Sequence, residues 1–268
     1  MNNLGIERLC LFGMPPTEHV ALASSLGCRS IGIGLQAMRY YNPDNYPDWS
    51  LRDNAVLRRE LLTMMADHGV AIGLCEGFSA VRKGQVRDQA GDLDLAAALG
   101  SQRINAVSTG RDLGLALDGF AVIAEMAAQR GLETVTEIGP GPIATLDCAL
   151  AAVRHVGRSD FKLLIDTMHF FRFGGTVAAL AKVDPHLIGY VQLCDVPLRS
   201  QYPTYMEEAL HERLVPGEGE LPLAEFARLI PDSVVVSVEV PRRSLAQAGV
   251  GARERVAPCV AAARALLN

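Results

Sequence analysis

Strand-like and helix-like patterns alternate eight times along this chain, and few architectures accept that rhythm. Apolar runs suited to strands occupy 8–12, 29–33, 70–75, 102–107, 132–138, 161–166, 187–194 and 233–240. Helical periodicity fills 17–26, 53–67, 87–99, 113–130, 144–156, 175–183, 222–229 and 251–266. Pro15, Pro16 and Pro222 sit where first helical turns begin, and Gly69, Gly100 and Gly131 sit where C-terminal glycines end them. Alternation of this kind implies parallel strands joined by right-handed crossovers. No Pro/Ser-rich linker or composition break divides the 268 residues, and no internal repeat is visible. The expectation is one α/β domain over 1–268, a (β/α)8 TIM barrel, for which this length is ordinary.

Four polar residues then stand out. Glu137, Asp166, Gln192 and Glu239 each lie at or near the end of a strand run, in LETVTEI, FKLLID, LIGYVQL and SVVVSVE. Strand parity puts them on the inward face. In the last run Val235, Ser237 and Glu239 share one side while Val234, Val236 and Val238 share the other. In the seventh, Tyr190, Gln192 and Cys194 face inward if Leu187, Gly189, Val191 and Leu193 face outward. A doubly wound sheet would show the same parity. In a closed barrel all four side chains meet at the C-terminal mouth, where such folds carry their chemistry. A lone Glu at a strand end is usually a solvated or ion-paired terminus. Four at corresponding ends are hard to read that way, because carboxylates are rarely buried together without compensation. Three carboxylates and one amide oxygen suit a hard divalent cation, Mg²⁺ or Mn²⁺ before Zn²⁺.

Composition removes other classes. A net charge of −5 and a pI near 5.7 give no footprint for nucleic acid. No run approaches the roughly 18 apolar residues of a membrane span, and MNNLGIERLC lacks the basic start of a secretion signal. The six cysteines show no CxxC spacing and read as buried, reduced thiols of a cytoplasmic protein. GIGLQA at 32–37 spells a dinucleotide fingerprint, but it runs into RYYNPDNYP, which cannot open a helix. No G-x-S-x-G elbow supports nucleophilic catalysis.

Two long connections interrupt the rhythm, 35–52 after the second strand and 196–220 after the seventh. The first carries three of the six tyrosines and the only tryptophan. Long connections in compact domains are functional or disordered, and both read here as substrate-covering loops. For Tyr40, Tyr41 or Trp49 singly, plain surface packing is an equal alternative.

TEI at 136–138, DTMHF at 166–170, YVQLCD at 190–195, HERLVPGEGELPL at 211–223 and SVEVP at 237–241 resemble the xylose-isomerase-like TIM barrels. That group contains sugar and sugar-phosphate isomerases and epimerases, inosose and dehydroshikimate dehydratases and, more distantly, endonuclease IV. The resemblance implies that Glu137, Asp166 and Glu239 are metal ligands and that the two glutamates form the acid/base pair of the epimerases. It further implies that His169 faces substrate beside the metal and that Arg213 contacts substrate oxygens. Gln192 departs from the histidine of many epimerases and matches the dehydroshikimate dehydratases. Those enzymes, however, carry a histidine two residues after the first glutamate and a lysine two after the glutamine, where this chain has Gly139 and Cys194.

Read as residues, His169 could cap the following helix, but a place at the mouth favours substrate contact. Arg213 offers a planar fork for an anion or hydroxyls. His211 reads as a solvent-exposed loop residue, and His19, His68, His155 and His186 need no special role. A divalent ion that polarises a carbonyl acidifies the adjacent C–H, and a neighbouring carboxylate can take that proton. The expected activity is isomerisation or epimerisation of a sugar or polyol-type keto substrate. Dehydration, with His169 as the acid, is the alternative. A non-catalytic sugar-binding barrel is the alternative of another class, and a homo-oligomer is left open.

Overall fold

A computed structural model describes residues 4–38, 42–80 and 83–268. Eight parallel strands close into a barrel in sequence order. They are β1 (Leu4–Glu7), β2 (Ser30–Gly34), β3 (Ala71–Ser79), β4 (Arg103–Val107), β5 (Glu133–Glu137), β6 (Phe161–Asp166), β7 (Ile188–Leu193) and β8 (Val235–Val238). The helices that return the chain along the outside are α1 (Pro16–Ser25), α2 (Ala55–His68), α3 (Lys83–Val86), α4 (Ala90–Ala98), α5 (Leu113–Ala128) and α6 (Leu146–Val156). They continue as α7 (Thr167–Arg172), α8 (Val177–Leu180), α9 (Tyr205–His211), α10 (Leu223–Ala227), α11 (Arg243–Gln247) and α12 (Ala252–Leu267).

Seven strands lie where the apolar runs predict them, and one does not. The run at 8–12 is a 3-10 turn, Arg8–Leu11, ending in Phe12 with a left-handed φ of 46°. The first strand is the less apolar LGIE just before it. A strand buried on both faces is normally aliphatic, so the buried glutamate hid it. The helical pattern at 175–183 shrinks to Val177–Leu180, and DTMHF opens α7 with Asp166 as its N-cap.

Parity is as expected inside the barrel. Leu74, Val135, Leu164, Tyr190 and Val235 form an interior layer separate from the larger core between sheet and helices. Below it the Arg103 guanidinium lies 5.5 Å from the centre of the Tyr190 ring. Above it the Tyr190 hydroxyl donates to Glu7 Oε1 at 2.7 Å and lies 2.6 Å from Ser237 Oγ. Gly32 makes this possible, since a Cβ there would stand 1.6 Å from Glu7 Oε2. All six cysteines are free and five are buried. No helix among the described residues is long and apolar enough to cross a membrane.

The connection 35–52 is tied down by a Gln36–Ser50 bridge and by Trp49, whose indole N–H donates to the Gly13 carbonyl at 2.9 Å. Trp49 also packs on the core, which is the plain packing role. Tyr40 and Tyr41 lie outside the described residues. GIGLQA begins inside β2, whose last residue is Gly34, and no helix opens at its described residues.

Candidate metal centre and active site

Register brings the four strand-end residues together. Asp166 pairs with Gln192 and Gln192 with Ser237, two residues before Glu239, whose backbone N–H extends the ladder by donating to the Leu193 carbonyl at 3.0 Å. Gln192 Nε2 lies 3.2 Å from Glu239 Oε1. Glu137, Asp166 and His169 offer ligand atoms that all lie within 4.8 Å of one another.

Arg213 ties the set together. It arrives from the long connection after β7, held by its backbone N–H on the Pro241 carbonyl at 2.9 Å and by a bridge between Leu214 and Asp195. Nη1 donates to Asp166 Oδ2 at 2.6 Å and to Glu239 Oε2 at 3.1 Å, while Nε donates to the Ala209 carbonyl at 3.0 Å. The side chain is 1% exposed. Its guanidinium therefore clamps two carboxylates, and only Nη2, 3.4 Å from His169 Nε2, turns toward the imidazole.

The carboxyls differ in proton affinity for physical reasons. Burial raises Glu137 well above the usual range, and the charges of Asp166 and Glu76 add to it. Burial likewise raises Glu239, against the pull of Arg213. At Asp166 burial acts upward too, but Arg213 and His169 outweigh it and bring the carboxyl down to about 2. Burial lowers His169 to about 4, so the imidazole is neutral near pH 7.

These residues fit a divalent cation. The Gln192 side chain is buried, and its Oε1 meets no hydrogen-bond partner among the described residues. An orphaned buried acceptor is costly unless something binds it. Arg213 Nη1 takes Asp166 Oδ2 and Glu239 Oε2, while Asp166 Oδ1 accepts from the His169 backbone N–H and Glu239 Oε1 from Gln192 Nε2, and a carboxylate oxygen with one hydrogen bond keeps a lone pair for a cation. Three carboxylates with one guanidinium carry a formal charge of −2, which a divalent ion would neutralise. The count from the carboxylates alone leaves −1 with the ion bound, because it omits Arg213.

Four groups at the mouth escape the sequence reading. Glu76, near the end of β3, accepts from Gln192 Nε2 at 3.3 Å and pairs with Arg8 Nε at 3.2 Å. Glu7, Glu76 and Glu239 form a second acidic cluster with ligand atoms within 4.8 Å. Burial and the Glu76 charge push Glu7 up to about 8. Asn105 Nδ2 donates to Glu137 Oε2 at 3.3 Å. The Tyr205 hydroxyl lies 2.6 Å from His169 Nδ1. Glu76 obeys the strand-end rule one residue past the run 70–75 and could have been found. Glu7 and Arg8 vanished with the misplaced first strand. Tyr205 carries no sequence signal at all. His211, expected in an exposed loop, instead ends α9 half-buried, and burial and the charge of Arg243 lower its imidazole below the ordinary value.

The sequence profile of the xylose isomerase-like TIM barrel matches residues 20–261. The chain belongs to this family. Among curated proteins no sequence matches it significantly. The barrel superposes on the IolI protein, solved with a bound zinc atom, with a TM-score of 0.79 at 18% identity over 99% of this chain and 98% of that one. A probable 3-DHS dehydratase, AsbF of Bacillus anthracis, gives a TM-score of 0.73 at 15% identity over 99% of each chain. D-psicose 3-epimerase of Clostridium cellulolyticum H10, solved with D-tagatose, gives 0.72 at 13% identity over 99% of each. At such identities the likeness is one of fold. Solved barrels of the same fold as this xylose isomerase-like chain thus include a D-psicose 3-epimerase and a probable dehydratase.

Proposed function

We propose that this chain is a divalent-metal-dependent isomerase or epimerase acting on a sugar or polyol-type keto substrate. The observation that supports the reading is the buried Gln192 Oε1 acceptor without a partner among the described residues, beside Glu239 and Asp166, which Arg213 joins, with Glu137 and His169 grouped on Asp166. A cation held there, Mn²⁺ or Mg²⁺ by the preponderance of oxygen donors, supplies Lewis acidity to a carbonyl and acidifies the neighbouring C–H. His169 adds a nitrogen to the same cluster and IolI carries zinc, so metal analysis of the isolated protein decides the ion.

Glu137 and Glu239 are the bases. They stand three strands apart round the barrel, so a substrate between them presents different faces to each. Glu239 is buried and Glu137 partly so, and both have raised proton affinity, the condition that suits a group that must take a proton and give it back. Asn105 steadies Glu137, and Gln192 steadies Glu239. Arg213 holds Asp166 and Glu239 in place and keeps Nη2 for substrate oxygens beside His169.

Dehydration is the second reading. His169 Nε2 lies 3.3 Å from Glu137 Oε1, which sets an acid for a departing hydroxyl beside a base. Gln192, shared with the dehydroshikimate dehydratases, favours it as well. Solvent deuterium exchange at the substrate α-carbon separates the two. Label in recovered substrate and product without water loss is the isomerase or epimerase result. Stoichiometric water loss with rising ultraviolet absorbance from a conjugated product transfers the assignment to a dehydratase.

A further inference from the structure

We propose that Tyr205 is a positioning residue that holds His169 in the tautomer with its proton on Nε2, so that the imidazole serves as a hydrogen-bond donor to a substrate oxygen. The functional half of this inference rests on the reaction proposed above, whereas the tautomer rests on geometry alone.

His169 is the third residue of α7, and its backbone N–H is anchored on Asp166 Oδ1 at 2.9 Å. That anchor sets where the ring begins but not which nitrogen carries the proton. Three contacts decide the latter. Nδ1 lies 2.6 Å from the Tyr205 hydroxyl, Nε2 lies 3.3 Å from Glu137 Oε1, and Nε2 lies 3.4 Å from Arg213 Nη2. Tyr205 is a phenol and keeps its proton near neutral pH. A phenol with a proton and a bare ring nitrogen 2.6 Å away makes a strong O–H···N bond. With Nδ1 accepting, the one proton of a neutral ring is on Nε2, which lies 3.3 Å from Glu137 Oε1. The opposite tautomer would let Nε2 accept from Arg213, the longest of the three contacts. It would also leave the Tyr205 proton with no acceptor among the described residues.

Packing supports the same bond. The Tyr205 ring lies 5.6 Å from the His169 ring and 5.3 Å from Phe173, edge-on to the latter. Tyr205 is the first residue of α9, inside the long excursion that follows β7. That excursion is itself held on α7, where Arg172 pairs with both oxygens of Glu208 at 2.7 and 2.9 Å and donates to the Pro197 and Leu198 carbonyls. The connection expected to cover the substrate therefore reaches the site twice, through Arg213 on the carboxylates and through the Tyr205 hydroxyl on the imidazole.

The test is nitrogen-15 NMR of the histidine rings in protein loaded with diamagnetic Mg²⁺, with Tyr205→Phe as the variant. Phenylalanine keeps the ring packing against Phe173 and removes only the hydroxyl. His169→Gln identifies the His169 signals. His19 is an internal reference, because its Nε2 lies 3.1 Å from the Ile6 carbonyl oxygen and must carry a proton. The wild-type His169 should show a pyridine-like Nδ1 and a pyrrole-like Nε2. In Tyr205→Phe both signals should shift toward tautomer averaging while those of His19 stay still. A pyrrole-like Nδ1 in the wild type, or His169 signals unmoved by the variant, overturns the inference. In turnover, Tyr205→Phe should lose about ten- to a hundredfold in kcat with KM little changed, and the exposed neighbour Met206→Ala should lose nothing. The expected NMR result with undiminished kcat overturns the functional half alone. If the wild type turns over no keto-polyol, the proposed reaction fails and the NMR result still decides the tautomer.

Discussion

Glu7 shows how much one buried carboxyl can govern. It is fully buried, hydrogen-bonded by Tyr190, and pushed up to about 8 by burial and by Glu76. Below its ordinary value of 4.5 the group is protonated in both folded and unfolded chains. Between 4.5 and about 8 the folded chain keeps a proton that the unfolded chain has lost. Stability therefore falls as pH rises across that window, by up to about 1.4 kcal/mol per pH unit from this group. Urea unfolding of metal-free protein from pH 4.5 to 8 should show Glu7→Gln losing less stability than the wild type. Equal slopes would mean that Glu7 is ionised in the fold. Glu137 is present in both proteins and Glu7 does not contribute to its upward shift, so that shift cancels in the comparison.

At the scale of elements, the segment after β7 is organised by Asp195. Its Oδ1 accepts from the backbone N–H groups of Val196 and Leu221, and its Oδ2 accepts from that of Gly217. Gly219 passes so close that a Cβ there would lie 2.3 Å from Oδ1. The same residue bridges Leu214, the neighbour of Arg213, so the turn and the clamp on Asp166 and Glu239 share one anchor. Asp195→Asn puts an amide N–H where an acceptor is needed. It should cost about 1–3 kcal/mol in chemical unfolding and weaken divalent-metal affinity by displacing Arg213. A variant with wild-type metal affinity would show that the turn and the clamp are independent.

For the whole molecule the bound ion is the largest lever. A ligand at a hundred times its Kd that binds only the folded chain adds about 2.7 kcal/mol, or about 5 °C in Tm for a chain of this size. Scanning calorimetry with Mn²⁺ or Mg²⁺ should show that gain in the wild type. It should vanish in Asp166→Ala, which removes one of three carboxylates and leaves Arg213 facing Glu239 alone. A metal-dependent Tm rise that survives in Asp166→Ala would place the ion elsewhere, with the cluster of Glu7, Glu76 and Glu239 the first alternative.

The barrel was legible in the sequence because its signal is local. Apolar runs, helix-ending glycines and inward parity recur in each unit, so seven of eight strands could be placed without any knowledge of the partner strands. Glu137, Asp166, Gln192 and Glu239 were legible for the same reason, since each marks the end of its own run. β1 was not, because a buried glutamate interrupts the pattern that defines such a strand. What only the tertiary structure decided is which groups face one another across the mouth. Closure brings Glu7 and Glu76 from β1 and β3 to Glu239 after β8, and register slips between β2 and β3 and between β3 and β4 help set those heights. It turns Arg213 onto Asp166 and Glu239, and it lands Tyr205 on His169 from 36 residues away. Local periodicity cannot carry such pairings, because they depend on the distance across a closed sheet rather than on spacing along the chain.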